Sequence, residues 1–162
     1  MIKQRKDTLQ EELISLLEGE SAHVNFKTAI ENIPNKYYGM LVEGLPYTLW
    51  RVLQHMQLTQ SDILDYITNP SYKEREYPGE YWLKENAPLK SSSWKNCVQQ
   101  FESDLEEIKN IVKSPQTELL MPIPHIKNGP TLLHEILLLT SHNSYHIGQL
   151  LLIRGFLGIW QD

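Results

Sequence analysis

The chain lacks several features that would assign it to a special class of protein. It has a single cysteine, Cys97, so it cannot form an intramolecular disulfide, which is compatible with a reducing compartment. No apolar run approaches the roughly 20 residues that a membrane-spanning helix needs. The basic residues near the start are not followed by an apolar segment, so we expect no secretory signal. These absences favour a soluble, cytoplasmic protein with no membrane partner.

A basic surplus is also lacking. The 162 residues include 15 Lys and Arg against 20 Asp and Glu, which gives a formal net charge of −5. Proteins that bind nucleic acid neutralise its phosphates with clustered cations, whereas the cations of this chain are scattered singly. We therefore expect no nucleic-acid partner.

Alternation of apolar and polar residues with a period of two, which is typical of strands, is absent as well. The sequence has instead four long segments in which apolar residues recur at helical spacing. Gly19 is expected to end the first helix, and Pro46 to open the second in its first turn, where proline's missing N–H does no harm. The helices are predicted, in chain order, at 6–18, at 45–67, from the capping residues Ser91–Ser93 to before Pro115, and at 131–156.

Shorter segments connect these helices. A short helical segment is predicted over 21–32 and is closed by Pro34. Residues 70–90 contain three prolines among four aromatic residues, which predicts an ordered loop packed by its aromatic side chains. The whole pattern predicts one all-α domain over residues 1–162. Its expected architecture is an antiparallel four-helix bundle with a short extra helix and long loops rich in proline and aromatic residues.

Two histidines, His142 and His146, lie one turn apart on the last predicted helix, with their imidazoles on one face. Leu138, Leu139 and Ile153 share that face, so both rings are expected to point into the bundle, where unpartnered imidazoles are unfavourable. A single inward histidine is more often a hydrogen-bonded core residue than a ligand. Two at this spacing make a shared metal ion an equal alternative, and the residues alone leave both interpretations open.

A third ligand has to come from another helix, and His55 is the best candidate. It lies beside the apolar arc of the second predicted helix, on a polar stripe that we interpret as one wall of a cleft. For Thr59 and Asp62, which are on this stripe, a solvated helix edge is the alternative. The stripe also contains Thr48 and Tyr66. The weaker candidates among the histidines are His23, His125 and His134.

Three histidines would leave coordination positions open, as catalytic metal sites do, whereas structural zinc is normally held by four protein ligands. Neutral imidazole suits zinc, nickel, iron and copper, and we favour zinc or nickel. The His-x-x-x-His spacing also begins the helix of zinc proteases. Asn143 stands where those enzymes have a glutamate base, so peptide hydrolysis by that route is not expected.

Two segments resemble the signature of the DinB-like (DinB/YfiT) superfamily. They are residues 45–56 (LPYTLWRVLQHM), followed by Asp62-Ile63-Leu64, and residues 141–150 (SHNSYHIGQL), continuing into Arg154 and residues 157–160 (LGIW). Supporting pieces are Ala22-His23, Tyr81-Trp82 and residues 122–125. The resemblance spans nearly the whole chain in the right order.

Membership of this superfamily implies a four-helix bundle in which three histidines hold a divalent metal, and these map onto His55, His142 and His146. It also implies a homodimer, which is common in the family. Its characterised members include enzymes that use a low-molecular-weight thiol, such as bacillithiol S-transferases and mycothiol-dependent maleylpyruvate isomerase. Ser141 and His134 depart from the family pattern, because an acidic residue and an arginine are expected at these positions.

The leading functional hypothesis is a metal-dependent thiol S-transferase, which joins a low-molecular-weight thiol to a small-molecule substrate. The thiolate is the reactive form of a thiol, and a metal ion is one means of producing it. Cys97 is not expected to be the nucleophile, because it lies on a core stripe with Trp94 and Phe101. Thr59 and Gln149, on the faces that carry the histidines, are assigned to cofactor binding.

Two alternatives stay open. One is metal-assisted hydrolysis, with Asp62 or Glu135 as the catalytic proton acceptor. The other is a metal-stabilised bundle that binds a ligand or a partner without turnover.

Overall fold

The computed structural model describes residues 2–19 and 22–160, with side chains from residue 6 onward. These residues form five α-helices and one short 3-10 turn, Asn35–Tyr37, and no β-strand. The prediction of an all-α protein is therefore confirmed for the described residues. The helices are α1 (Ile2–Glu18), α2 (Phe26–Ile30), α3 (Leu49–Thr68), α4 (Ser93–Lys113) and α5 (Leu132–Phe156).

The start of α3 differs from the prediction. The helix begins at Leu49 rather than at Leu45, because Thr48 has extended backbone angles and its Oγ1 accepts a hydrogen bond from the Arg51 N–H at 3.3 Å. Pro46 therefore precedes the helix and does not open it. This capping bond sets the register of the helix that carries His55.

The ends of the other helices agree with the prediction in part. α1 begins at Ile2 instead of residue 6 and ends before Gly19, whose φ of 76° favours glycine. α5 begins near residue 131 as predicted, and Thr131 is its N-cap, since its Oγ1 accepts a hydrogen bond from the His134 N–H at 3.2 Å. Ser92 occupies the N-cap position of α4, but its side chain makes no capping hydrogen bond.

The segment predicted over 21–32 is helical only in α2. Its N-cap is Asn25, whose Oδ1 accepts a hydrogen bond from the Thr28 N–H at 2.9 Å. Asn32 has a φ of 57°, outside the helical region, so the chain has already left the helix there. Residue 21, where the predicted segment starts, lies outside the described residues.

α3 packs against both α4 and α5, α1 packs against α4 and α5, and α2 packs against α5. Two clusters of buried side chains form the core. Met56, Phe101 and Leu150 belong to the first cluster, and Ile63 and Ile136 belong to the second. The start of α3 thus packs against the end of α5, and the end of α3 packs against the start of α5. The two helices are antiparallel, so the polar stripe of α3 runs beside the histidine face of α5.

The proline- and aromatic-rich loop of residues 70–90 is fixed along α3. The Thr48 hydroxyl donates to the Asn86 carbonyl at 2.7 Å, and the Arg51 Nε–H donates to the Leu83 carbonyl at 3.0 Å. These bonds hold the loop over the polar stripe of α3. In the part of the chain that the structure describes, no helix has both the length and the apolar character to cross a membrane.

Candidate metal centre

Three histidine side chains from two helices converge at one point. His55 comes from α3, and His142 and His146 come from α5. Each offers one ring nitrogen, and these atoms all lie within 4.8 Å of one another. The ring centroids are 4.4, 4.5 and 5.0 Å apart. The structure therefore brings together the three histidines that the sequence assigns to metal binding.

The orientation of His55 is fixed by a backbone carbonyl. Its Nδ1–H donates to the Tyr81 carbonyl oxygen at 3.1 Å. A carbonyl only accepts hydrogen bonds, so Nδ1 must carry the proton. In the neutral ring, Nε2 of His55 therefore presents an unprotonated lone pair to the convergence point.

A chain of amide contacts fixes His142 in the same way. The Gln60 Nε2 donates to the Phe101 carbonyl at 2.6 Å, which leaves Gln60 Oε1 to accept from Asn143 Nδ2 at 3.1 Å. The other end of the Asn143 amide, Oδ1, then lies 3.4 Å from His142 Nδ1. An oxygen acceptor at this position places the proton of His142 on Nδ1 and leaves Nε2 free.

The third ring, His146, is held by Gln149. Its Nδ1–H donates to Gln149 Oε1 at 2.6 Å, and Gln149 Nε2 donates to the hydroxyls of Tyr47 at 2.6 Å and Tyr145 at 3.2 Å. The sequence assigns Gln149 to cofactor binding, and in the structure its amide positions His146. Outer-shell acceptors of this kind orient histidine ligands and raise their basicity.

All three rings are neutral at neutral pH. Burial is the main cause, since it disfavours the charged form, and it lowers the pKa of His55 and of His142 to about 4. The neighbouring His146 lowers both pKa values further. Burial also lowers the pKa of His146 itself. Neutral imidazole is the form that binds metals.

The geometry fits a shared divalent ion. Nε2 of His55 and Nε2 of His142 lie 3.0 Å apart, and with both protons on Nδ1 two lone pairs face each other. Two imidazole nitrogens bound to one ion at about 2.0–2.1 Å are themselves roughly 3 Å apart. A cation between them replaces a repulsive contact with two bonds. An all-imidazole donor set suits first-row ions such as zinc and nickel.

A cleft of about 970 Å³ opens beside the histidines. Six tyrosines and Trp82 line it, so its walls are mainly aromatic. The Trp82 ring stacks on His55, with ring centroids 3.9 Å apart and an interplanar angle of 11°. The remaining residues that the sequence assigns to the site, Thr59, Asp62, Glu135 and Gln149, all line the same cleft.

Asp62 is buried rather than on a solvated helix edge, and hydrogen-bond donors surround its carboxylate. The Tyr81 hydroxyl donates to it at 2.6 Å, the Tyr72 hydroxyl at 3.2 Å, and the Arg75 Nε lies 3.2 Å away. The same Tyr81 supplies the carbonyl that orients His55. Asp62 therefore holds the loop that positions His55.

Two other polar groups in the cleft have no hydrogen-bond partner among the described residues. The Thr59 Oγ1 is buried without a hydrogen bond. Glu135 is only 6% exposed, and its carboxylate forms no hydrogen bond or ion pair with any described residue. Burial raises the pKa of Glu135, which the neighbouring His134 lowers to a smaller extent.

The other candidate side chains lie elsewhere. The His125 Nε2–H donates to the Tyr66 carbonyl at 2.9 Å, His23 pairs with the Ser144 hydroxyl at 2.9 Å, and His134 is exposed. Cys97 is buried in the core, and burial raises its thiol pKa to about 12. The prediction that Cys97 belongs to the core rather than to the site is confirmed.

Several residues of the site were not singled out from the sequence. Trp82 and the Tyr81 carbonyl were only part of a predicted aromatic loop, and Asn143 was noted only as the residue that stands where a zinc protease has its base. A loop has no periodicity, so its sequence does not indicate which residue will face His55. The dipeptide His142-Asn143 is a signal in the sequence that could have indicated an amide side chain next to a histidine of the site.

The chain matches no protein-family model, and neither the curated proteins nor the solved structures include a significant match. The geometry of the cleft therefore carries the functional argument.

Proposed function

We propose that the chain is a divalent-metal-dependent enzyme of the DinB-like type, in which His55, His142 and His146 bind zinc or nickel in a four-helix bundle. The single observation that supports this most is the pair of Nε2 atoms 3.0 Å apart with both protons held on Nδ1. Without a cation between them, the two Nε2 lone pairs repel each other and destabilise the folded protein.

The reaction we propose is the transfer of a low-molecular-weight thiol to an electrophilic small molecule. A divalent ion at the three histidines would supply positive charge that lowers the pKa of a thiol. The residues that line the cleft include no cysteine and no serine among those described. Cys97 is buried away from it, so a thiol nucleophile has to enter as a second molecule. A cleft of about 970 Å³ has room for two small substrates.

Hydrolysis is supported less well, because it needs a proton acceptor next to the ion. Asp62 is occupied by three donors. Glu135 precedes His142 by two helical turns, about 10 Å along α5 at about 1.5 Å per residue. In this proposal His55, His142 and His146 bind the ion and Trp82 stacks on His55, while neither carboxylate serves as a base. Homodimer formation, a cytoplasmic location and a single domain stay predictions.

The test is conjugation of thiols to 1-chloro-2,4-dinitrobenzene by protein loaded with zinc or with nickel. The sulfur attacks the ring carbon, the C–S bond forms, and chloride leaves with the proton of the thiol. We expect catalysis that requires the metal and falls by about 100-fold or more in His55→Ala, as for loss of a ligand to a catalytic ion. The exposed His134→Ala is the matched control and should keep the rate.

Three results would redirect the assignment. Full activity of a folded His55→Ala protein excludes the proposed role of the metal. Metal-dependent cleavage of p-nitrophenyl esters without thiol transfer indicates a hydrolase. Tight metal binding that raises the melting temperature, with no turnover in either assay, indicates a non-catalytic bundle.

A further inference from the structure

The end of the cleft away from the histidines contains a carboxylate without a partner. Glu135, in the first turn of α5, is only 6% exposed, lines the cleft, and forms no hydrogen bond or ion pair with the described residues. The start of a helix favours an anion, but a largely buried carboxylate is stabilised further by a cation beside it. Groups of this kind concentrate at binding sites, where a ligand supplies the missing partner.

The other charges of the cleft leave it negative. Asp62 is balanced by Arg75, whose Nε lies 3.2 Å from its Oδ1. Glu74 and Glu135 also line the cleft and have no ion pair with the described residues. Burial raises the pKa of Tyr66, and Glu135 and Glu74 raise it further, so that phenol lies in the field of both carboxylates. This end of the cleft therefore attracts a positive charge and disfavours an anion.

The walls at this end also suit an organic cation. The rings of Tyr66 and Tyr72 meet edge to face with centroids 5.0 Å apart. Aromatic faces attract ammonium and guanidinium groups through the ring quadrupole. An inorganic divalent ion needs several ligand atoms together, and among the described residues only the three histidines form such a group.

The spacing along the cleft sets the length of the molecule. Glu135 precedes His142 by two turns of α5, about 10 Å along the helix. Leu138 and Ile63 line the cleft as apolar residues, and Thr59 contributes a buried Oγ1 without a hydrogen bond. A molecule that fills the cleft has a charged end, an apolar middle with one polar atom, and a reacting end at the histidines.

We propose that Glu135 binds the ammonium group of the substrate, so that the substrate is a cationic, amine-bearing small molecule whose reacting group lies about 10 Å from its charge. This proposal rests on the proposed function and specifies its substrate class. The reaction at the histidines depends on that function, whereas binding of the ammonium group to Glu135 does not. Glu135 is then a specificity residue that contacts the substrate and takes no part in the proton transfers.

The experiment compares three probes that differ only in the end group: 4-phenylbutylammonium, 4-phenylbutanol and 4-phenylbutanoate. Binding to the metal-loaded protein is measured by calorimetry. We expect the ammonium probe to bind about tenfold or more tightly than the alcohol, in line with a charge-assisted hydrogen bond, and the carboxylate to bind most weakly. Glu135→Gln should remove this preference and leave alcohol binding and metal content unchanged. Glu107→Gln, an exposed glutamate on α4, is the matched control.

Two further measurements separate this proposal from others. The ammonium preference should persist after the metal is removed with a chelator, and its disappearance would mean that the amine binds the ion, which overturns the proposal. Equal binding of the three probes to the wild-type protein also overturns it, whether or not the variant folds. Loss of thiol transfer with the ammonium preference intact rejects the proposed reaction and leaves the subsite standing. Glu135→Gln should melt no lower than wild type, whereas a structural role predicts a lower melting temperature.

Discussion

The Nε2 atoms of His55 and His142 lie 3.0 Å apart, and with both protons on Nδ1 each nitrogen turns a lone pair toward the other. The Tyr81 carbonyl and the Asn143 amide oxygen hold the two protons on Nδ1. A hydrogen bond between the two rings would require one of them to reverse its tautomer and leave a part-buried oxygen acceptor without its donor. The contact is therefore best completed by a cation.

Metal binding should stabilise the fold through this contact. At a free zinc or nickel concentration 100 times the dissociation constant, we expect the free energy of unfolding to rise by about 3 kcal/mol. Urea denaturation of chelator-treated and reloaded protein measures the difference. The increment should vanish in His142→Ala and persist in His134→Ala. An equal increment in both variants would mean that the ion binds elsewhere.

Gln149 should matter for metal affinity although it is not itself one of the three histidine ligands and lies three residues beyond His146. Replacement of Gln149 by Leu leaves the Nδ1–H of His146 without its acceptor at 2.6 Å. We expect a 10- to 100-fold weaker metal affinity, which is about what loss of an outer-shell partner causes. Competition with a fluorescent chelator measures it, and the exposed Gln99→Leu on α4 is the control. Unchanged affinity would show that Gln149 serves another purpose, such as contact with the cofactor.

The sequence predicts those parts of the molecule that follow a helical period. His142 and His146 share a face because they are four residues apart, and His55 joins them because α3 and α5 are antiparallel. The predicted start of α3 was wrong by four residues. A proline marks a possible helix start, whereas the helix begins after Thr48, whose hydroxyl caps the Arg51 N–H. The spacing of apolar residues predicts which side chains share a helix face, whereas capping hydrogen bonds determine where the helix ends lie.

The contacts made by the loop could not be predicted in the same way. Trp82 stacks on His55 because Thr48 and Arg51 bond to loop carbonyls and fix where the loop lies. Those bonds are made to the backbone, so no side-chain pattern in the loop encodes them. The alternative of a solvated helix edge for Asp62 stayed open for the same reason. The position of the loop could not be predicted, and the loop is what buries Asp62.

Cys97 should be unreactive in the folded protein. It is buried, its thiol donates to the Leu53 carbonyl at 3.9 Å, and burial raises its pKa to about 12. At pH 8 only about one thiol in ten thousand would be ionised even with full access. Mass spectrometry after treatment with iodoacetamide should show no label in native protein and one label in guanidinium chloride. Rapid labelling of the native protein would contradict this, and so would loss of thiol transfer in a folded Cys97→Ala variant.

The metal-free protein should lose stability in weak acid. The ordinary histidine pKa of 6.5 applies to the unfolded chain, whereas burial lowers the pKa of His55 and of His142 to about 4 in the folded state. Between these values the unfolded state binds more protons than the native state. The free energy of unfolding therefore falls as the pH is lowered from 6.5 toward 4, and this contribution is constant outside that window.

The double variant His55→Ala/His142→Ala isolates this effect. Urea unfolding of the metal-free proteins at several pH values should show a shallower loss of stability in the double variant than in wild type, while His134→Ala should keep the wild-type slope. Glu135 acts in the opposite direction, because burial raises its pKa and protonation then favours the folded state. The difference between variant and wild type removes that contribution, since Glu135 is present in both. Equal slopes would mean that the two imidazoles accept protons in the folded protein as readily as in the unfolded chain.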